Sequence, residues 1–176
     1  MLIDRHSRQG FTLIELMIGL GLVGILALFA VPAFQHWVQN SQIRNGAEGI
    51  MNGMQIARAE AVRRNVIIQF VMTTGSGWTI AAASAPTVIL QSRVAEEGSS
   101  NAAVTITPAG ADRVSFNGMG WISPNADASN AITSIDVTSA TMTGSELRPL
   151  RVIVSTGGSP KMCDPAVPST DTRACP

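Results

Sequence analysis

One carboxylate, Glu15, lies inside an apolar run that extends from Phe11 to Phe34 (FTLIELMIGLGLVGILALFAVPAF). A charge in the middle of an apolar helix costs about 3 kcal/mol on membrane-insertion scales, so such a group needs a partner or a purpose. Upstream, Gly10 and Phe11 form the sharp border between a polar segment (MLIDRHSRQG) and that run. At the other end of the chain sit Cys163 and Cys175 with eleven residues between them, a spacing that fits neither a CxxC redox motif nor a zinc-finger pair. His6 belongs to the polar leader and His36 lies just past the apolar run. With no nucleophile elbow, P-loop or metal-ligand cluster in view, no catalytic residue, cofactor or metal is expected. Asp127 and Asp136 have no evident partner and read as loop and strand polar residues. The chemistry on offer is the pairing of an ion held in a low-dielectric setting.

The elements around these residues set their roles. Phe11 to Ala33 is 23 residues, roughly 35 Å as a helix, which is enough to cross a bilayer. Arg5 and Arg8 outweigh Asp4 in the leader, so the positive-inside rule holds that end in the cytoplasm and sends the rest of the chain out. An ordinary secretory signal would end in a small-x-small cleavage site, whereas Leu28 to Val31 run into Pro32, Ala33 and Phe34 and then into a continuing helical pattern. A plain signal anchor leaves Glu15 unexplained. The exported part, about 140 residues by this count, is long enough to bury a core. Its oxidising compartment favours a Cys163–Cys175 disulfide over two free thiols in a frayed, loop-like tail. Closing so short a loop stabilises by about 3 kcal/mol in the chain-entropy model. Twelve basic and twelve acidic residues balance, which removes the bulk charge signature of a nucleic-acid binder.

The stretch Gly10-Phe11-Thr12-Leu13-Ile14-Glu15-Leu16 resembles the class III signal of type IV pilins and pseudopilins. The resemblance implies that a membrane-embedded prepilin peptidase cuts after Gly10 and that the new terminal Phe11 is methylated. It also implies that Pro32 kinks the helix and that Glu15 pairs with the N-terminal amine of a neighbouring subunit. The physics agrees: such a pair gains far more in low dielectric than at a surface, and an unpaired Glu15 is penalised, so Glu15 would act as a register device.

Beyond Pro32, Ile43, Ala47, Ile50, Met54, Ala57 and Ala61 recur at spacings of four and three, one narrow apolar stripe of the kind that lies on a globular domain. Gly46, Gly49 and Gly53 weaken this helix and allow bending or close packing, and Glu60 to Arg64 is a favourable i,i+4 pair. From Val66 the composition turns to β-branched runs separated by Gly, Ser, Pro and Asn. Strands are expected over 66–73, 78–83, 88–93, 104–107, 113–116, 132–137 and 150–154, with loops at 97–102 and 125–130. The fold class is therefore α+β, a long N-terminal helix packed on an antiparallel β-sheet. Its parts are a leader at 1–10, a transmembrane or filament-core helix at 11–34, an amphipathic continuation at 35–65 and a β-rich domain at 66–176.

Residues 55–65 (QIARAEAVRRN), 116–120 (FNGMG) and the closing Lys161-Met162-Cys163-Asp164-Pro165 resemble the GspH/FimT/FimU branch of pilin-like proteins. This implies a minor pilin that contributes to assembly and to the filament tip, its partners the prepilin peptidase, other pilins or pseudopilins and the inner membrane, with the C-terminal domain periplasmic. Alternatives within the branch are a pseudopilin of a type II secretion system and a minor pilin that binds DNA for uptake. DNA-uptake members carry Gly-Arg-x-Arg before the first C-terminal Cys; here Gly158-Ser159-Pro160-Lys161 keeps one cation. Arg148, Arg151, Lys161 and Arg173 are the candidate DNA contacts. Opposed by Glu146, Asp164 and Asp171, they leave an excess of one positive charge, which predicts weak, salt-sensitive contact at most.

Overall fold

The structure is a computed structural model and describes residues 12–176. Gly10 and Phe11 lie outside the described residues. Among the described residues one helix, α1 (Leu13–Arg64), is followed by nine strands, all antiparallel where they pair. The chain divides into two compact units with the boundary between Trp37 and Val38.

In the first unit α1 is continuous through Pro32, where the missing N–H leaves the Leu28 carbonyl without its helical donor. Its apolar side chains are exposed along the whole run to Phe34, and this stretch is long and apolar enough to cross a membrane. Thr12 caps the helix: its Oγ1 accepts from the Glu15 N–H at 3.3 Å and its carbonyl from the Leu16 N–H at 3.2 Å. That places Glu15 in the first turn, where a carboxylate also complements the positive end of the helix dipole.

The second unit holds the core. The six stripe residues from Ile43 to Ala61 are all buried, joined by Gln39, Gly46 and Gly53. The glycines permit close packing. A Cβ on Gly53 would meet Trp78 at 2.6 Å and Phe70 at 2.8 Å, and the Trp78 indole N–H donates to the Gly49 carbonyl at 3.0 Å. The helix ends at Arg64, and Asn65 takes a left-handed φ of 53°, as residues just past a helix often do.

Two sheets meet this helix. The first runs β3 (Ala85–Arg93), β2 (Trp78–Ala82), β1 (Ile68–Met72), β5 (Arg113–Phe116), β6 (Ile122–Ser123), and the second runs β4 (Ala102–Thr107), β7 (Ser134–Ser139), β8 (Leu150–Val154), β9 (Pro160–Cys163). In β7 and β8, buried Ile135, Val137, Val152 and Val154 alternate with more exposed Ser134, Asp136, Arg151 and Ile153, the period-2 signature of a half-buried sheet. Phe70, Ile80, Val114 and Phe116 fill the core from the first sheet, each worth about 1.5–3 kcal/mol of burial.

Several sequence expectations need correction. Strands over 66–73, 88–93, 104–107 and 132–137 shift to Ile68–Met72, Ala85–Arg93, Ala102–Thr107 and Ser134–Ser139. The expected loop at 97–102 gives up Ala102 to β4, and the helix stops one residue short of 65. Two strands were not expected, β6 and β9. Cys163 is not in a loop but closes β9, which pairs with β8 through Arg151↔Cys163 and Ile153↔Lys161. The apolar pattern there is interrupted by Pro160 and Lys161, and cross-strand pairing supplies what the local pattern lacks. Asp127 and Asp136 do have partners: Arg113 at 3.2 Å and Arg151 at 2.6 Å. Both pairs join residues distant in sequence, so local pattern could not reveal them.

Candidate functional site

Two regions carry the chemistry anticipated from sequence, one in each unit. In the first, Glu15 stands on an exposed apolar helix with Leu13, Ile14, Leu16, Met17 and Ile18 around it, each more than half exposed. Such a surface is stable in lipid or against other apolar helices and not in water.

The second region is the outer face of β8 and β9. Alternation along paired strands puts Arg151, Ile153, Lys161 and Cys163 on one side of the sheet, opposite Val152 and Val154. The C-terminal segment covers part of this face. The Cys163–Cys175 disulfide ties it down with Cα atoms 5.0 Å apart, and Asp164 N–H donates to the Arg173 carbonyl at 2.8 Å. A cleft of about 370 Å³ between them is lined by Ile153, Ser155, Lys161, Met162, Arg173 and Pro176.

Of the four candidate DNA contacts, three therefore gather and two of those are already occupied. Arg151 donates from Nε and Nη2 to both oxygens of Asp136 at 2.6 and 3.0 Å, a bidentate pairing that holds its pKa above the ordinary arginine value. Arg173 grips Asp171 at 3.1 and 2.8 Å; the guanidinium and the Arg173 backbone N–H draw the Asp171 carboxyl down to about 2. Lys161 is exposed and makes no ion pair among the described residues. Arg148 lies elsewhere, its backbone N–H held by the Asn40 side chain at 2.9 Å. Gly158, which aligns with the start of the DNA-uptake motif, sits in the turn between β8 and β9 with φ of 74°, where a Cβ would strike the Gly120 carbonyl.

That Gly120 ends the 116–120 segment (FNGMG) that carries part of the family resemblance; what its sequence did not give is the fixed turn it forms with Trp121. The turn between β5 and β6 is closed by Asn117, whose Oδ1 accepts from the N–H groups of Met119 and Trp121 at 3.0 and 3.1 Å. Arg58 of α1 donates from Nε to the Gly120 carbonyl at 2.8 Å. The signal available in sequence was an Asn-Gly turn followed by two large apolar residues outside any alternating pattern.

Comparison with known proteins fits this architecture. A family model described as type II transport protein GspH matches residues 46–158, and one described as the prokaryotic N-terminal methylation motif matches residues 5–31. Type IV major fimbrial protein FimA of Dichelobacter nodosus is 45% identical over 56 residues, 32% of this chain and 34% of the relative. A fimbrial protein of the same organism is 43% identical over 56 residues. The match thus spans about a third of the length of these curated relatives. A crystal structure of the type IV minor pilin FimU of Pseudomonas aeruginosa superposes with a TM-score of 0.52 at 18% identity, covering 77% of this chain and 95% of that one. At that identity the likeness shows the fold.

Proposed function

The chain belongs to the GspH family of type IV pilin-like subunits, and from that premise we propose that it is a minor pilin contributing to the start of assembly and to the tip of a type IV pilus. The observation that carries this reading is the division of α1. Its first half exposes an unbroken apolar surface with one carboxylate, Glu15, and its second half buries a stripe against the two sheets. The first half suits two successive environments, the inner membrane as a single-pass anchor and then the core of a filament, because its backbone is satisfied within the helix in both. The second half fixes a periplasmic domain to that rod.

In this reading a prepilin peptidase removes the leader after Gly10, Phe11 becomes the methylated N-terminus, and the Phe11 amine of one subunit is met by Glu15 of a neighbour. Partners are other minor and major pilins. The subunit is structural and works by packing rather than by bond chemistry. Similarity of a 56-residue stretch to fimbrial proteins supports a pilus, whereas the family's description as a type II transport protein favours the second reading, a pseudopilin of a secretion filament. A deletion strain scored for surface pili, transformation and exoprotein release separates them: loss of pili is expected, and loss of exoprotein release alone overturns the pilus reading. Loss of transformation with pili intact would instead favour DNA uptake, which the pairing of Arg151 and Arg173 argues against.

A further inference from the structure

The turn between β5 and β6 exposes two of the largest apolar side chains of the β-rich part, Met119 at 73% and Trp121 at 59%. Beside them on the helix end Val62 is 51% exposed, and a Cβ on Gly120 would touch it at 3.2 Å. Exposed aromatics on a loose loop would mean little, but this turn is fixed. Besides the two bonds that Asn117 Oδ1 accepts and the one that Arg58 donates, already described, Gly120 N–H donates to the Asn117 carbonyl at 2.8 Å and Asn117 N–H to the Trp121 carbonyl at 2.9 Å. A preorganised apolar surface loses little entropy on binding, which is what a binding anchor requires.

Charge around the anchor is one-sided. Arg58 makes no ion pair among the described residues, and Arg63 and Arg64 share the single carboxylate of Glu60 at 2.6 Å each. Three guanidinium groups against one carboxylate leave a basic rim.

The opposite end of the packed helical half carries the complementary pattern. There the loop after β3 runs Val94-Ala95-Glu96-Glu97-Gly98, with Val94 52% exposed and both glutamates exposed and without ion pairs among the described residues. Its backbone is also held: Asn45 donates to the Gly98 carbonyl at 3.3 Å and Arg93 to the Glu97 carbonyl at 2.7 Å. Asn45 and Asn65 mark the two ends, about 30 Å apart at 1.5 Å rise per residue. One end thus presents aromatic and apolar anchors with a basic rim, and the other an aliphatic side chain flanked by two carboxylates.

We propose that these ends dock head to tail, the Met119–Trp121 turn of one copy of this chain against the Val94–Glu97 loop of a second copy. Such a contact is heterologous and leaves a free end of each kind, so it propagates along an axis rather than closing a symmetric pair. The pairing does not depend on the pilus reading, since it concerns two copies of the chain wherever they meet.

The test uses the full chain with two different tags, purified in excess detergent micelles, and measures co-purification of one tagged copy with the other. Co-purification is expected at about 50 mM salt and should fall severalfold by about 500 mM as the charges are screened. Trp121→Ala should weaken it about tenfold or more. The decisive arm reverses each end separately. Glu96→Lys with Glu97→Lys, or Arg63→Glu with Arg64→Glu, should each abolish association alone, because like now meets like. A mixture of the two double variants should restore it, an outcome that misfolding of either variant cannot produce. Persistence of association in both reversed variants would assign it to the apolar helix and overturn the proposal, as would failure of the mixture to recover. Binding of a single-stranded oligonucleotide that is lost in Trp121→Ala, with no co-purification of protein copies, would overturn it in favour of a nucleic-acid occupant.

Discussion

Asp136 on β7 and Arg151 on β8 face each other at a directly paired position of the second sheet, joined by two hydrogen bonds of 2.6 and 3.0 Å. The pair holds both the Nε and the Nη2 of the guanidinium on one carboxylate, so a residue that reads in sequence as a free cation is committed to the fold. Bidentate geometry makes this one of the stronger surface ion pairs, worth about 1 kcal/mol.

The first expectation concerns DNA. With Arg151 and Arg173 both paired, Lys161 is the exposed cation left on that face, and affinity for phosphates grows with each one neutralised. The protein should bind double-stranded DNA weakly or not at all at about 150 mM salt, and Asp136→Asn should strengthen binding at low salt a few-fold by releasing Arg151. Anisotropy titration checks both. Submicromolar binding at about 150 mM salt that disappears in Lys161→Ala would sink this reading.

A second expectation addresses the N-terminal half. Mass spectrometry should find a mature chain beginning at Phe11, and Gly10 replaced by a bulky residue should leave precursor in the membrane. Glu15→Ala should insert as well as the native chain or slightly better, since a costly charge is gone, yet enter filaments poorly for want of the pairing group. Normal incorporation of that variant would count against the role of Glu15.

Gly53 offers a third test, this time of packing. An alanine there gains up to about 1 kcal/mol of helix propensity, but its Cβ lands 2.6 Å from Trp78 and 2.8 Å from Phe70. Neither ring can yield easily: Phe70 is fully buried and Trp78 is tied to the Gly49 carbonyl. Overpacking costs about 1–3 kcal/mol, so Gly53→Ala should be destabilised by about 1–2 kcal/mol in a denaturant titration. Gly157→Ala, where a Cβ meets nothing within 4 Å, should change little.

The pH dependence of the C-terminal segment supplies a fourth. Asp171 titrates near 2 in the folded chain against an ordinary 3.8, because Arg173 stabilises its charged form. A depressed carboxyl stabilises the folded state above the unfolded value, so its contribution is complete above about pH 4 and is lost as pH falls towards 2. Carboxyl chemical shifts should show Asp171 with a midpoint near 2; a midpoint at the ordinary value would mean that the Arg173 pairing does not persist in solution.

How far the sequence alone reached follows from the range of the interactions involved. The apolar run with Glu15, the buried stripe from Ile43 to Ala61 and the strands at 113–116 and 150–154 were legible because each is a local pattern of period 3.6 or 2, or a composition, and burial follows such patterns directly. The Cys163–Cys175 bond was legible too, since the two cysteines of the sequence lie close together near one chain end and have no other cysteine to pair with. Tertiary structure decided the rest. It placed β9 beside β8 despite Pro160 and Lys161, matched Asp136 with Arg151 and Asp127 with Arg113, and set Gly120 against Arg58 across 62 residues. These are pairings between segments whose local sequence is indifferent to them, formed only because the sheet register and the helix ends bring the groups together. The same long-range placement leaves Met119 and Trp121 exposed on a fixed turn, while the apolar character of those two residues in the sequence would equally have suited a core.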